Sequence, residues 1–276
     1  AIGEMAEWFK AHAWKVCVLL KVPWVRIPLS PPIKMKKFVE VFFHLFFKLK
    51  KIEKPKSKAQ IFINFFWESK YKKQIIETAL KTRSQLFQEI FVLNKLNFKK
   101  KGFFVEFGAC DGIYYSNTFL LEKKYKWEGI LAEPNNIWKH NLLLNRSCKI
   151  SHDCVSNETG KKIDFYEQED LGLSGTIRKE KFLKTYKVQT ISLNDLLHKY
   201  QAPKNFDYLS IDTEGTEYEI LKSLDFSKFK PKVITCEHNF NDNRNLIKEL
   251  LFGKGYEIFV GQNTKFDDWY FDKDYF

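Results

Sequence analysis

The chain has 276 residues, enough for one α/β domain with an N-terminal extension, and its 17% aromatic content excludes a disordered polypeptide. Its net charge is +12, yet only Arg26, Arg83, Arg146, Arg178 and Arg244 among its 46 basic residues are arginine. Proteins that read bases or clamp phosphates favour arginine, so nucleic acid is disfavoured as a partner, and the lysine surplus is read as AT-rich codon usage.

Cysteine usage is sparse. Cys17, Cys110, Cys148, Cys154 and Cys236 are odd in number and none has CxxC spacing. That pattern argues against a disulfide framework or a zinc site and fits reduced thiols in a cytoplasm.

The opening stretch, residues 1–34, has aromatic residues without periodicity. Read back into codons, Val25-Arg26-Ile27-Pro28 is compatible with the T-loop core of a tRNA gene, and Gly3 to Trp8 with the acceptor and D-arm of a serine-type tRNA. The expectation is that this leader is a translated tRNA gene and that translation starts at Met35. Its apolar run, Val16 to Leu20, is too short for a signal-peptide core, and no small-residue cleavage site follows.

Residues 35–60 form the next region. Phe38 to Leu49 is predominantly apolar, with Glu40, His44 and Lys48 as a polar stripe at helical spacing. Such a helix of roughly 18 Å is too short to span a bilayer. It would lie at a membrane surface, giving peripheral contact at the inner face through residues 38–49, or pack on the domain or a partner. A charged, proline-containing linker follows. Residues 61–101 are expected to be a helical extension, with one helix over Gln74 to Leu96.

From residue 102 to 276 apolar strands alternate with helices. Strands are expected at Phe103–Phe107, Gly129–Ala132, Cys148–Val155, Lys162–Tyr166, Tyr208–Ile211, Lys232–Cys236, Glu257–Val260 and Trp269–Phe271. Helices are expected at Asn117–Lys124, Ile137–Asn145, Ser192–Tyr200, Glu217–Ser223 and Asn243–Phe252. Ile163 to Lys187 reads as a lid. The alternation predicts an α/β fold with a mostly parallel sheet and helices on both faces, binding ligands where strands end.

Five segments carry chemistry. FVEFGACDG ends an apolar strand in Glu106, Gly108, Ala109 and Gly112, where glycines permit close approach and a tight turn, and a helix start near Asn117 offers free amides. ILAEP ends in Glu133, about twenty residues beyond the turn, which suits a ribose diol. Asp153 and Cys154 close the third strand, where they could face a purine. Asp212 and Glu214 close the fourth, on one side of the chain, and could orient or deprotonate a hydroxyl, hold an ammonium or bind a divalent cation. Glu217 follows in a first helical turn, where the dipole explains it. His238, after the fifth strand, is a second candidate base. His140, His152 and His198 have no partner spacing.

Together FVEFGACDG, SNTFLLE (Ser116–Glu122), ILAEPN (Ile130–Asn135), LSG (Leu173–Gly175) and IDTEGTEYEIL (Ile211–Leu221) resemble the FkbM methyltransferases, over about Ser84 to Trp269. SQLFQEIFVLNKL (Ser84–Leu96) resembles the helix that precedes the first strand in some of them. The resemblance implies the class I methyltransferase Rossmann-like fold, a seven-stranded sheet with its last strand antiparallel, and S-adenosylmethionine as cofactor. It implies that Glu106, Gly108, Ala109 and Gly112 line the methionine end with Asn117 nearby, that Glu133 takes the ribose, and that Asp153 and Cys154 take the adenine. Cys110 stands where asparagine is common, and Glu106 where aspartate is. The family is associated with O-methylation of sugars and natural products, so a glycan or small-molecule acceptor is expected. Asp212 is then the expected base or orienting group, His238 the next candidate, and Glu214 an orienter. No metal is predicted, although a divalent cation is compatible with these acids. Two rival readings remain: a nucleic-acid methyltransferase with the same cofactor, disfavoured because Asp212-Thr213-Glu214-Gly215 replaces Asn/Asp-Pro-Pro-Tyr, and, from another class, an NAD(P)-dependent oxidoreductase, disfavoured by the glycine spacing. A silent membrane-associated scaffold is a third. The sequence sets no oligomeric state.

Overall fold

The computed structural model describes residues 32–52, 58–62, 69–259 and 264–276. The leader expected over residues 1–34 lies outside the described residues up to position 31. The chain divides into two compact units, Ala1–Glu68 and Ser69–Phe276.

In the first unit, helix α1 spans Pro32–Leu49, and residues 58–62 are helical. Phe43 and Phe47, one turn apart, are buried, and their rings meet Phe62 at centroid distances of 4.4 and 5.4 Å. These aromatic contacts lie within that unit. Val41 and Leu49 remain exposed. Among the described residues no helix is long and apolar enough to cross a membrane.

The second unit begins with α2 (Lys72–Ala79) and α3 (Gln88–Lys95), where one helix over Gln74–Leu96 was expected. Local side-chain bonds break it. Thr82 Oγ1 accepts from Ser84 N, Gln88 Oε1 accepts from Leu86 N at 2.9 Å, and Phe87 sits at φ +70°. Such bonds compete with the helical ladder. These helices belong to the same compact unit as the sheet. Phe91 stacks on Trp269 at 5.1 Å.

The sheet strands are β1 (Phe103–Phe107), β2 (Glu128–Ala132), β3 (Lys149–Ser151), β7 (Tyr208–Ile211), β8 (Val233–Glu237), β9 (Tyr256–Ile258) and β10 (Asp267–Asp272). Their order is β3-β2-β1-β7-β8-β10-β9. All neighbours are parallel except β10, which runs antiparallel to β8 and β9. This is the class I methyltransferase topology. The helices α4 (Phe119–Lys123), α5 (Lys139–Asn145), α6 (Leu193–Lys199), α7 (Glu217–Ser223) and α8 (Asn243–Gly253) connect the strands. Central strands are buried along their whole length, because parallel strands covered on both faces read as continuous apolar runs.

A second sheet of three strands joins β4 (Cys154–Ser156), β6 (Lys184–Ser192) and β5 (Lys162–Glu167) in that order. The single strand expected over Cys148–Val155 is therefore two strands in different sheets. The break falls at His152-Asp153, where Ser151 Oγ donates to Asp153 Oδ2 at 2.9 Å and takes the Asp153 amide at 3.3 Å. The lid expected over Ile163–Lys187 begins and ends in the paired strands β5 and β6, and the longer segment between them forms a loop that lines the cleft with Leu171, Ser174 and Thr176.

Candidate active site

The chain leaves β1 toward β2 and β3 on one side, and its second half builds β7 and β8 on the other. Carboxyl ends of parallel strands diverge at such a switch point and leave a crevice. An open cleft of about 860 Å3 lies there.

Gly108 makes the close approach of β1 and β7 feasible. Its φ is +78°, and a Cβ there would stand 2.0 Å from the Asp212 carbonyl oxygen. No other residue fits. Across the cleft, Glu133 follows β2. Its Oε2 accepts from the Cys110 amide at 2.9 Å and its Oε1 from the Asn135 amide at 2.8 Å, which leaves lone pairs for further donors. Burial pushes the Glu133 carboxyl up to about 7, against the pull of those two amides. Cys154 lines the cleft beyond it and is buried.

Glu106 lines the cleft from within β1. Its oxygens take Ser116 Oγ at 3.0 Å, the Asn117 amide at 2.7 Å and Thr118 Oγ1 at 2.5 Å, with the Arg146 guanidinium 3.7 Å away. It therefore holds the 116–118 loop as part of the wall. That loop presents Asn117, whose Nδ2 donates to Ser210 Oγ at 3.0 Å while its buried Oδ1 has no hydrogen-bond partner.

The floor is acidic. β7 and β8 are in register through Ile211 and Cys236, so Asp212 and Glu237 come next to each other. Their side chains are hydrogen-bonded. Burial pushes Asp212 up to about 8, and burial together with Asp212 pushes Glu237 up to about 11. Glu214, at φ +59°, completes a set of three oxygens within 4.8 Å of one another. These acids have the spacing of a cation cradle. Lys179 from the covering loop already sits 2.9 Å from Glu214, and a proton shared between Asp212 and Glu237 lowers the remaining charge. Glu217 braces the turn from below, accepting the amides of Thr213 and Gly215 through one oxygen at 3.0 and 2.9 Å.

Of the sequence-predicted residues, Glu106, Gly108, Asn117, Glu133, Cys154, Asp212 and Glu214 come together around the cleft. Four do not line it. Ala109 is buried behind it. Gly112, at φ +80°, packs against Leu142 and Arg146. Asp153 turns away, tied to Ser151 and to Lys199 at 3.1 Å. His238 is buried, accepts the Phe240 amide at Nδ1 and faces Asp268 at 3.7 Å, and burial lowers its pKa. Glu237 was overlooked, although it closes an apolar strand just as Glu106 and Glu133 do.

Residues 106–258 match the family model described as methyltransferase FkbM domain. No curated protein matches the chain. Among solved structures, the methyltransferase FkbM from Methylobacillus flagellatus KT is similar at TM-score 0.47 and 12% identity, covering 87% of this chain, which spans 58% of that one. The precorrin-6y C5,15-methyltransferase from Geobacter metallireducens GS-15 aligns at TM-score 0.39 and 13% identity, over 66% of this chain and 84% of that one. The ribosomal protein L11 methylase from Lactobacillus delbrueckii subsp. bulgaricus aligns at TM-score 0.36 and 10% identity, over 66% and 74%.

Proposed function

The chain belongs to the FkbM methyltransferase family, and on that premise we propose that it uses S-adenosylmethionine to methylate a hydroxyl oxygen of a sugar, a glycan or another hydroxylated small molecule. The observation that carries this reading is the sign of the cleft. In a chain of net charge +12, the wall presents Glu133, Asp212 and Glu214 together with the orphaned Asn117 Oδ1. Such a wall suits a ligand carrying ammonium and sulfonium charges and ribose hydroxyl donors.

Glu133 would hold the ribose hydroxyls, Cys154 would lie along the adenine, and Asn117 with the turn at Gly108 would meet the amino-acid end. S-adenosylmethionine, when bound, supplies a methyl group already activated by its sulfonium charge. The protein's part is alignment and removal of one proton. Asp212 takes that proton from the acceptor hydroxyl. Its raised pKa places it near the working pH, where a general base is most effective. Glu237 fixes the Asp212 side chain, and the Lys179–Glu214 pair holds the covering loop over the cleft and limits water. The free cysteines among the described residues support a reducing, cytoplasmic setting.

Isothermal titration with S-adenosylmethionine and with NADH tests the cofactor, and transfer of a labelled methyl group to a panel of alcohols and amines tests the acceptor atom. Binding of S-adenosylmethionine alone and alkali-stable label on alcohols are expected. Binding of NADH, or label only on amines, sinks the proposal.

A further inference from the structure

The main sheet is electrically polar from one edge to the other. Its registers, Phe103↔Glu128, Phe104↔Tyr208, Tyr208↔Val233 and Val233↔Phe271, bring the starts of β1, β2, β7 and β8 together with the end of β10. That edge is lined with lysine. Lys101 and Lys126 stand two residues ahead of β1 and β2, Lys149 opens β3, Lys232 and Lys254 precede β8 and β9, and Lys273 follows β10. At the opposite edge β2, β7 and β8 run into Glu133, Asp212 and Glu237, the acids of the cleft. Codon usage sets how many lysines a chain contains but not where they stand.

The charge of the lysine edge is only partly neutralised. The buried Asp207 is shared by Lys99 and Lys232 at 2.8 and 2.9 Å, and Lys230 takes Asp272 at 2.8 Å. Lys100, Lys101, Lys126, Lys204, Lys254 and Lys273 are exposed and have no ion-pair partner among the described residues. Glu128 and Glu257 are the exposed acids left unpaired beside them. Large apolar side chains stand among these lysines: Phe252 in the last turn of α8, and Tyr275 and Phe276 beyond β10, are exposed.

We propose that this edge docks on an anionic lipid bilayer, with the lysines among the headgroups and Phe252, Tyr275 and Phe276 at the boundary with the acyl chains. The inference is independent of the methyltransferase reading. Lysine is a compact point charge that suits a diffuse field of headgroups. Nucleic-acid phosphate favours the arginine fork, and the arginines of this unit stand elsewhere: Arg146 is buried, and Arg83, Arg178 and Arg244 belong to segments at the cleft end. Exposed aromatic rings flanked by lysine are the composition of a membrane interface. Docked this way, the cleft opens to solution, with the five residues of β1 setting its mouth roughly 17 Å above the headgroups.

The test is flotation of the full chain with vesicles of phosphatidylcholine alone and with about one-third phosphatidylglycerol. Binding to the anionic vesicles at least tenfold above the neutral ones is expected, falling at least threefold when salt rises from about 0.1 M to about 0.5 M. Lys101→Glu, Lys204→Glu and Lys273→Glu together should lower binding at least tenfold. The same change at Lys139, Lys181 and Lys265, which stand at the cleft end, should lower it less than threefold, with Tm held in both. Phe252→Ser with Phe276→Ser is the second lesion, expected to lower binding at least threefold. The proposal is overturned when the wild type floats equally with both vesicles, when the edge variants bind like the wild type, or when the cleft-end control loses as much. A single-stranded RNA that strips the protein from anionic vesicles at equal phosphate concentration would assign the edge to nucleic acid and overturn it too.

Discussion

Asp212 and Glu237 stand side by side as the residues that continue the β7–β8 register past Ile211 and Cys236, and their carboxyl groups are hydrogen-bonded to each other. Two acids this close, one half-buried and one buried, retain a proton between them near neutrality, because ionising both would place two adjacent negative charges in a poorly solvated site.

Replacing Asp212 by asparagine keeps the shape and the bond to Glu237 but removes the base. Turnover should fall by about 100-fold or more, with the Kd for S-adenosylmethionine changed by less than about threefold. Steady-state rates and titration calorimetry check this. A variant with near-wild-type kcat would remove Asp212 from the base role.

Stability should depend on pH in an unusual direction. Burial raises Glu133 and Asp267 to about 7 and Asp212 to about 8, from ordinary values of 4.5, 3.8 and 3.8. An acid whose folded pKa exceeds its unfolded one favours folding while protonated, and that contribution fades as pH climbs through the folded value. The ligand-free protein should therefore lose Tm between about pH 5 and pH 8, and Asp267→Asn should flatten the slope. Scanning calorimetry that shows a Tm rising across this range would contradict the assignment.

Glu133 should make cofactor affinity depend on pH in the opposite sense. Ribose hydroxyls donate to a carboxylate, so S-adenosylmethionine should bind more tightly as pH rises through about 7. Glu133→Gln should abolish that dependence and weaken binding by about tenfold at pH 8. Titrations across pH that remain flat in the wild type would argue that Glu133 does not touch the cofactor.

Arg146 is fully buried and bonds Glu122 at 2.8 Å, the Gly112 carbonyl at 3.1 Å and Thr118 Oγ1 at 2.9 Å. Burial alone would raise the Glu122 carboxyl, but the guanidinium outweighs it and holds the group at about 2. Arg146→Met leaves Glu106 without its cation and Glu122 with only the more exposed Lys123 at 3.0 Å, and should cost about 3–5 kcal/mol in urea unfolding. Lysine cannot reproduce the fork and should rescue only part of this. A loss below about 1 kcal/mol for the methionine variant would show that the loop is held by other means.

The parts readable in the sequence are those where one local rule dominates. β1, β7 and α7 have the expected bounds because buried parallel strands are unbroken apolar runs and an acid-started helix declares its first turn. β6 escaped notice because one face is wet, so lysines, threonines and a glutamine interrupt its apolar pattern. The split between α2 and α3 depends on side chains that bond their own backbone, which periodicity does not register. At the site, acids ending apolar strands marked Glu106, Glu133 and Asp212, and the same signal at Glu237 was overshadowed by the histidine beside it. Gln85, which lines the cleft, carries no local signal and reaches it only through contacts distant in sequence.

The acidic wall also bears on how the enzyme empties. On the proposed reading, methyl transfer turns a positively charged sulfur into a neutral thioether, so the attraction exerted by Glu133, Asp212 and Glu214 would weaken once the reaction is over. The used cofactor would then be held less firmly than a fresh one, which would bias exchange between the two toward renewal.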